Sequence, residues 1–355
     1  MSDKPDKKPT LLGGLAGAIG SAVGDIAREV RQDLQDMTPP ATQAKPADDP
    51  ALARTVSSAS SGLAFVDVGG EDVLAEVPAS TTPKQLAAPW DAVLEGGKVT
   101  VDAGFFAASG EDVVRYMAAL SQENGFPYTM AILAAEAGDE EQTAALTGAT
   151  VVEPRLFGAL AFGPRKLQDD AEALDRALTK LINDNPKIIA LGPLLIDEPY
   201  APYTLPQQEA QLLVQLEIAA DFGLPAFVGH RRSLASLQDC LGRAEGLPKL
   251  VWADMLADEA ELALVKQHDM HVLVRPELTY AANDGYRQLV KKVPENRLLL
   301  GAGSALVAPQ SRSGHAGGPE SLPPTLKALA ELLDKPIKEL REVLNRTAHT
   351  LFVTS

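Results

Sequence analysis

The segment KIIALGPLLIDEPYAPYTLPQQEAQLLVQLEIAADFGLPAFV, residues 187–228, decides the fold. It opens on KIIAL (187–191), a short apolar run with the character of a buried strand. A helical stretch over 205–222 follows and leads into PAFV (225–228), a second short strand. Strand, helix and strand in this order form the unit that places strands side by side in parallel, with the helix packed on one face.

The same rhythm extends in both directions from about Lys98 to the C-terminus. Strands are predicted at 99–103, 128–133 and 156–162 on the N-terminal side, and at 249–252, 271–274 and 297–300 on the C-terminal side. Helices are predicted between most of them, at 110–123, 139–147, 168–184, 233–243, 257–267 and 284–291, with a last pair after Pro323. Eight strands alternating with helices over roughly 250 residues give an α/β chain of the (β/α)8 TIM-type barrel. A doubly wound open sheet is the alternative topology.

Three further segments precede this domain. Leu11, Leu15, Ile19, Val23, Ile26, Val30 and Leu34 recur every three or four residues and predict an amphipathic, Gly-rich leader helix within residues 1–37. Glycine weakens an isolated helix, so residues 11–37 are expected to need a partner surface. A protein partner, a second copy and a peripheral membrane contact all meet that need. Residues 38–61, with Pro39, Pro40, Pro46, Pro50 and the run SSASS, read as a linker. Residues 62–97 read as a small β extension, with LAFVDV (63–68) and VLAEV (73–77) forming a hairpin around Gly69-Gly70.

Composition narrows the function classes. The chain has 355 residues, of which 45% are hydrophobic and only 5% aromatic, so small aliphatic side chains must fill the core. With 32 Lys and Arg against 48 Asp and Glu, the formal net charge is −16, which repels polyanions and argues against a nucleic-acid partner. One cysteine, Cys240, excludes a disulfide framework and a cysteine-rich zinc site, and suits a reducing cytoplasm. The five histidines, His230, His268, His271, His315 and His349, do not form H-x-H or H-E-x-x-H. A membrane span and a secretory leader are both absent from the pattern.

In a barrel of this kind chemistry sits at the C-terminal strand ends, and these ends resemble the TatD family of metal-dependent hydrolases and deoxyribonucleases. The resemblance runs from about Lys98 to Phe352. Its landmarks are QLLVQLEIAADFGLPAFV (211–228), LLLGAGSALVAP (298–309), GGPESLPPTLKALAEL (317–332) and NRTAHTLF (345–352). The resemblance implies a site of one or two divalent metals held by histidines and carboxylates, which would generate a nucleophilic water.

The ligand positions do not carry ligands. The family's D-x-H-x-H falls on Asp102-Ala103-Gly104-Phe105-Phe106, which keeps the aspartate and loses both histidines. Its H-P-H falls on Gly163-Pro164-Arg165, and its G-E-x-G-L-D on Gly192 to Asp197, with Pro193 in place of the glutamate. Its H-x-R falls on Gly229-His230-Arg231, with the histidine one residue late. Its H-C-F-x-G begins at Ala253-Asp254, and the aspartate of its E-T-D falls on Gly303. Gly104, Phe106, Pro193, Gly229, Ala253 and Gly303 offer no side chain that binds a divalent cation.

The resemblance thus implies a vestigial pocket and no cofactor. Asp102, Asp197, His230, Arg231 and Asp254 are the polar residues expected at its mouth, either for acid–base work or as remnants paired with one another. The chain reads as a catalytically inactive, TatD-like binding or scaffold subunit. A hydrolase with a rearranged metal site and a metal-free small-molecule binder are the alternatives.

Overall fold

The computed structural model describes Trp90, residues 99–121 and residues 129–353. The leader, the linker and the hairpin expected at 63–77 lie outside the described residues.

Eight parallel strands follow one another in sequence order around the sheet: β1 (Thr100–Phe106), β2 (Thr129–Glu136), β3 (Leu156–Ala161), β4 (Ile188–Asp197), β5 (Ala226–Arg231), β6 (Leu250–Trp252), β7 (His271–Val274) and β8 (Leu298–Leu300). A ninth, β9 (Gly303–Ser304), continues β8 after two residues and pairs in parallel with β1, Phe105 opposite Gly303 and Phe106 opposite Ser304. This pairing brings the two ends of the sheet together as a TIM-type barrel. The open-sheet alternative fails, because each strand neighbours its successor and no crossover reverses the order.

Helices α1 (Gly110–Ser121), α2 (Glu140–Val152), α3 (Ala171–Asp184), α4 (Leu205–Asp221), α5 (Leu234–Arg243), α6 (Glu259–Gln267) and α7 (Asp284–Val290) connect the strands. Two more, α8 (Leu322–Leu333) and α9 (Ile337–Phe352), close the chain. Part of the acidic composition serves helix starts. Asp139, Asp170 and Asp258 each accept a backbone N–H from the first turn of α2, α3 and α6, where the helix dipole also favours negative charge.

The core has two layers. Leu, Ile and Val of the outward strand face pack against the helices, with Trp252 and Tyr116 among them. The inward face fills the barrel with Ala103, Ile132, Phe157, Ala190, Phe227, Val251, Leu273 and Leu299. At the bottom, Leu351 and Phe352 of α9 join this inner layer, and so does Trp90 from the segment before β1. The Trp90 ring lies 5.6 Å from Phe157 and 6.5 Å from Phe352.

One face of α4 sets the loops at the top. Gln208, Gln211 and Gln215 are spaced by one helical turn and all buried. Gln208 accepts the Asp197 N–H, Gln211 that of Gln168, and Gln215 that of Phe162. Each amide also donates to a backbone carbonyl. The ends of β3 and β4 are thereby pinned to one rigid helix.

Candidate functional site

A cavity of about 440 Å³ opens at the C-terminal ends of the strands. Phe106, Ala134, Ala161, Pro193 and Leu195 supply its apolar lining, and Glu136, Asp197, Asp254, Arg165, Arg231 and Arg275 its charged groups. The site therefore carries three carboxylates and three guanidinium groups.

Most of these charges are already matched. Asp197, buried at the end of β4, accepts from Arg231 Nη1 at 3.2 Å and from the Tyr200 N–H at 3.1 Å. Arg275 follows the end of β7 and reaches to the end of the neighbouring β6. Its Nη2 donates to Glu277 at 2.8 Å, and its Nη1 donates to the Ala253 carbonyl at 3.0 Å and lies 3.5 Å from Asp254. Asp254 also accepts the His230 N–H. Burial raises the Asp254 carboxyl above the ordinary carboxylate range, while Arg275 and the His230 N–H oppose the shift.

The glycines at expected ligand positions lie under this layer. A β-carbon at Gly104 would stand 2.8 Å from Leu273 Cδ2, and one at Gly229 would stand 2.3 Å from Asp254 Oδ2 and 2.9 Å from Leu195 Cδ2. At Gly303 it would face Pro276 Cδ at 3.1 Å and Arg275 Nε at 3.3 Å, on a backbone whose φ of 77° favours glycine. Phe106 packs edge-on against Phe227. The space for ligand side chains is thus taken by Leu273, Leu195, Asp254 and Arg275. Among the described residues no group of three His, Cys, Asp or Glu is gathered to hold a metal. The donors present do not fit a divalent ion, which needs several oxygen or nitrogen ligands converging on one point.

Two residues expected at the mouth lie elsewhere. Asp102 is fully buried on the outward face of β1, where its Oδ2 accepts the Tyr116 hydroxyl at 2.5 Å and its Oδ1 accepts the N–H of Ala302 and Gly104. Burial raises its carboxyl to about 6, against the pull of these hydrogen bonds. His230 follows the strand alternation of β5. Its ring sits 5.6 Å from Trp252, in the layer under the helices. The Nδ1 atom accepts the Ser233 N–H, so Nε2 carries the proton and donates to Glu261 at 3.1 Å. The one-residue offset in the sequence is therefore a change of face. Asp197, Arg231 and Asp254 do meet at the mouth.

Glu136, Arg165 and Arg275 are the charged residues of the cavity that sequence reading did not place at the mouth. Glu136 ends β2 with its Oε1 buried and without a hydrogen-bond partner. Burial raises its carboxyl, with Lys166 and Arg165 opposing. Arg275 directly follows β7, a position that strand-end logic would have flagged. Cys240 is buried on α5, and burial pushes its thiol up to about 12. No helix among the described residues is long and apolar enough to cross a membrane.

A curated protein of Mycobacterium tuberculosis described as an uncharacterized metal-dependent hydrolase TatD is 25% identical over 224 residues, 61% of this chain and 83% of that one. The crystal structure of a TatD homologue from Escherichia coli superposes with a TM-score of 0.61 at 22% identity, covering 71% of this chain and 97% of that one. A TatD family hydrolase from Entamoeba histolytica does so with a TM-score of 0.55 at 12% identity, covering 72% and 98%. Both likenesses speak for the barrel fold. Residues 106–353 match the family described as TatD related DNase. By that match, which spans most of its length, the chain belongs to the TatD related DNase family.

Proposed function

We propose that this chain is a catalytically inactive member of its family, which kept the barrel and works as a binding or scaffold subunit. The observation that carries this reading is the guanidinium of Arg275. It lies beside Asp254 and against Ala253 and the space over Gly303, two positions where the resemblance places metal ligands, and it is fixed by Glu277 and the Ala253 carbonyl. A fixed cation there opposes a divalent ion electrostatically. It also satisfies the acidic group that such an ion would need.

The partner-binding element in this reading is the amphipathic stretch 11–37, which would dock to a protein, to a second copy or to a membrane surface. The net charge of −16 supports a partner other than nucleic acid. Metal-dependent hydrolysis is the reading to exclude by experiment. Purified protein is incubated with single-stranded and double-stranded DNA in Mg²⁺, Mn²⁺ or Zn²⁺. Absence of cleavage supports the proposal, and cleavage abolished by a chelator overturns it.

A further inference from the structure

We propose that the mouth cavity binds, without metal, a small organic acid with an apolar body and a hydrogen-bond donor beside its carboxylate, held between Arg165 and Glu136. The inference rests on reading the mouth as metal-free. It adds the class of ligand.

The volume of about 440 Å³ falls in the range of small-molecule sites. The floor of Phe106, Ala134, Ala161, Pro193 and Leu195 is apolar and suits a hydrocarbon or aromatic body. The charged rim then sets the polar groups. Arg231 is matched by Asp197, and Arg275 by Asp254 and Glu277. Arg165 remains, exposed at the rim: it makes no direct ion pair among the described residues and acts on Glu136 only through space. It is the cation left for a ligand anion.

Glu136 supplies the complementary half. Its other neighbours are arranged around it: Gln142 accepts the Glu136 N–H, and Lys166 pairs with Asp139 instead. The buried Oε1 makes no full hydrogen bond, and the Gly163 N–H beside the carboxylate is the weakest of the influences on it. Buried polar atoms are nearly always satisfied in native proteins, so this acceptor points to a donor brought by a ligand. Arg275, another residue of the cavity lining, also has a buried and unpartnered Nε. With Asp197 and Asp254 matched by Arg231 and Arg275, Arg165 is the one cation left and Glu136 lines the same cavity, which favours a singly charged anion over a phosphate dianion.

Three probes separate these elements. Phenyllactate carries the acid, the hydroxyl and the apolar ring; phenylpropionate lacks the hydroxyl; phenylethanol lacks the acid. Binding to the full chain is measured by calorimetry and thermal shift. Phenyllactate is expected to bind about tenfold more tightly than either of the others, the loss of one charge-assisted hydrogen bond. In Arg165→Gln the preference for acid over alcohol disappears, and Arg165→Lys restores part of it. In Glu136→Gln phenyllactate and phenylpropionate bind alike. Arg165 is exposed, so its variants test the site even where a Glu136 variant fails to fold. Three results would overturn the ligand class: no probe binding at about 10 mM, a preference unchanged in Arg165→Gln, or inorganic phosphate competing better than phenyllactate. They would leave the metal-free reading intact, because chelator-sensitive DNA cleavage is what overturns that reading.

Discussion

The carboxylate of Asp102 accepts the backbone N–H of Ala302 at 2.8 Å, joining two positions 200 residues apart. Asp102 sits where the β1 register shifts, and Ala302 lies in the break between β8 and β9. The bond fastens the seam at which the barrel closes, which gives the aspartate a structural role behind the wall and none at the mouth.

That role has a pH signature. Burial holds Asp102 at about 6 instead of 3.8. The folded value lies above the unfolded one, so the native state binds the extra proton between them. Stability from this group is full below about pH 4 and is lost as pH rises through about 6. Two pH units correspond to about 3 kcal/mol. Relative to Asp102→Asn, the wild type should lose about 2 to 3 kcal/mol of unfolding free energy between pH 4 and pH 7 in urea titrations. Parallel pH curves would contradict this.

Tyr116→Phe removes the donor facing Asp102 Oδ2 while keeping the ring that packs 4.7 Å from Phe105. The expected cost is about 1 to 3 kcal/mol, since a buried carboxyl loses a partner. Chemical denaturation checks it, and an unchanged midpoint would argue against the seam account.

Restoring single ligands should harm the fold and bring back no metal. Gly104→His drives into Leu273, and Gly229→His displaces Asp254 from the His230 N–H. Overpacking of this kind costs about 1 to 3 kcal/mol. Both variants should melt below the wild type, with no rise in melting temperature when Zn²⁺ is added.

His230 and Arg231, adjacent in sequence, should behave differently. His230→Ala leaves the buried Glu261 with the Ala257 N–H alone, a loss of about 1 to 3 kcal/mol. Arg231 is half exposed, and the buried Asp197 keeps the Tyr200 N–H while water can enter where the guanidinium stood, so Arg231→Ala should cost about 1 kcal/mol or less. Equal melting temperatures for the two variants would contradict the placement of His230 in the packed layer.

The barrel was legible because most strands are compact apolar runs and helices such as α3 and α9 have a clear polar face. Strand ends were harder to read. The sequence expectation stopped β2 at Leu133, yet the strand continues through Ala134 and Ala135 to Glu136. Alanine has no strong strand preference, so the extension left no signal and Glu136 went unseen. Gly192-Pro193 reads as a stop, yet β4 runs through it to Asp197 with a shift of register. Gly192 adopts a φ of 135° against Phe227, a conformation open to glycine, and this permits the irregularity. The empty ligand positions were legible as residue types. That Leu273, Leu195, Asp254 and Arg275 occupy the space was not, because it depends on contacts between distant strands.

Metal stoichiometry tests the central claim most directly. The full chain, carrying no histidine tag, is dialysed against Zn²⁺, Mn²⁺ or Mg²⁺, and bound metal is determined by elemental analysis alongside Arg275→Ala. The account predicts well under one metal ion per wild-type chain in every case. One or two equivalents held tightly by the wild type, and removed by a chelator with a fall in melting temperature, would contradict it.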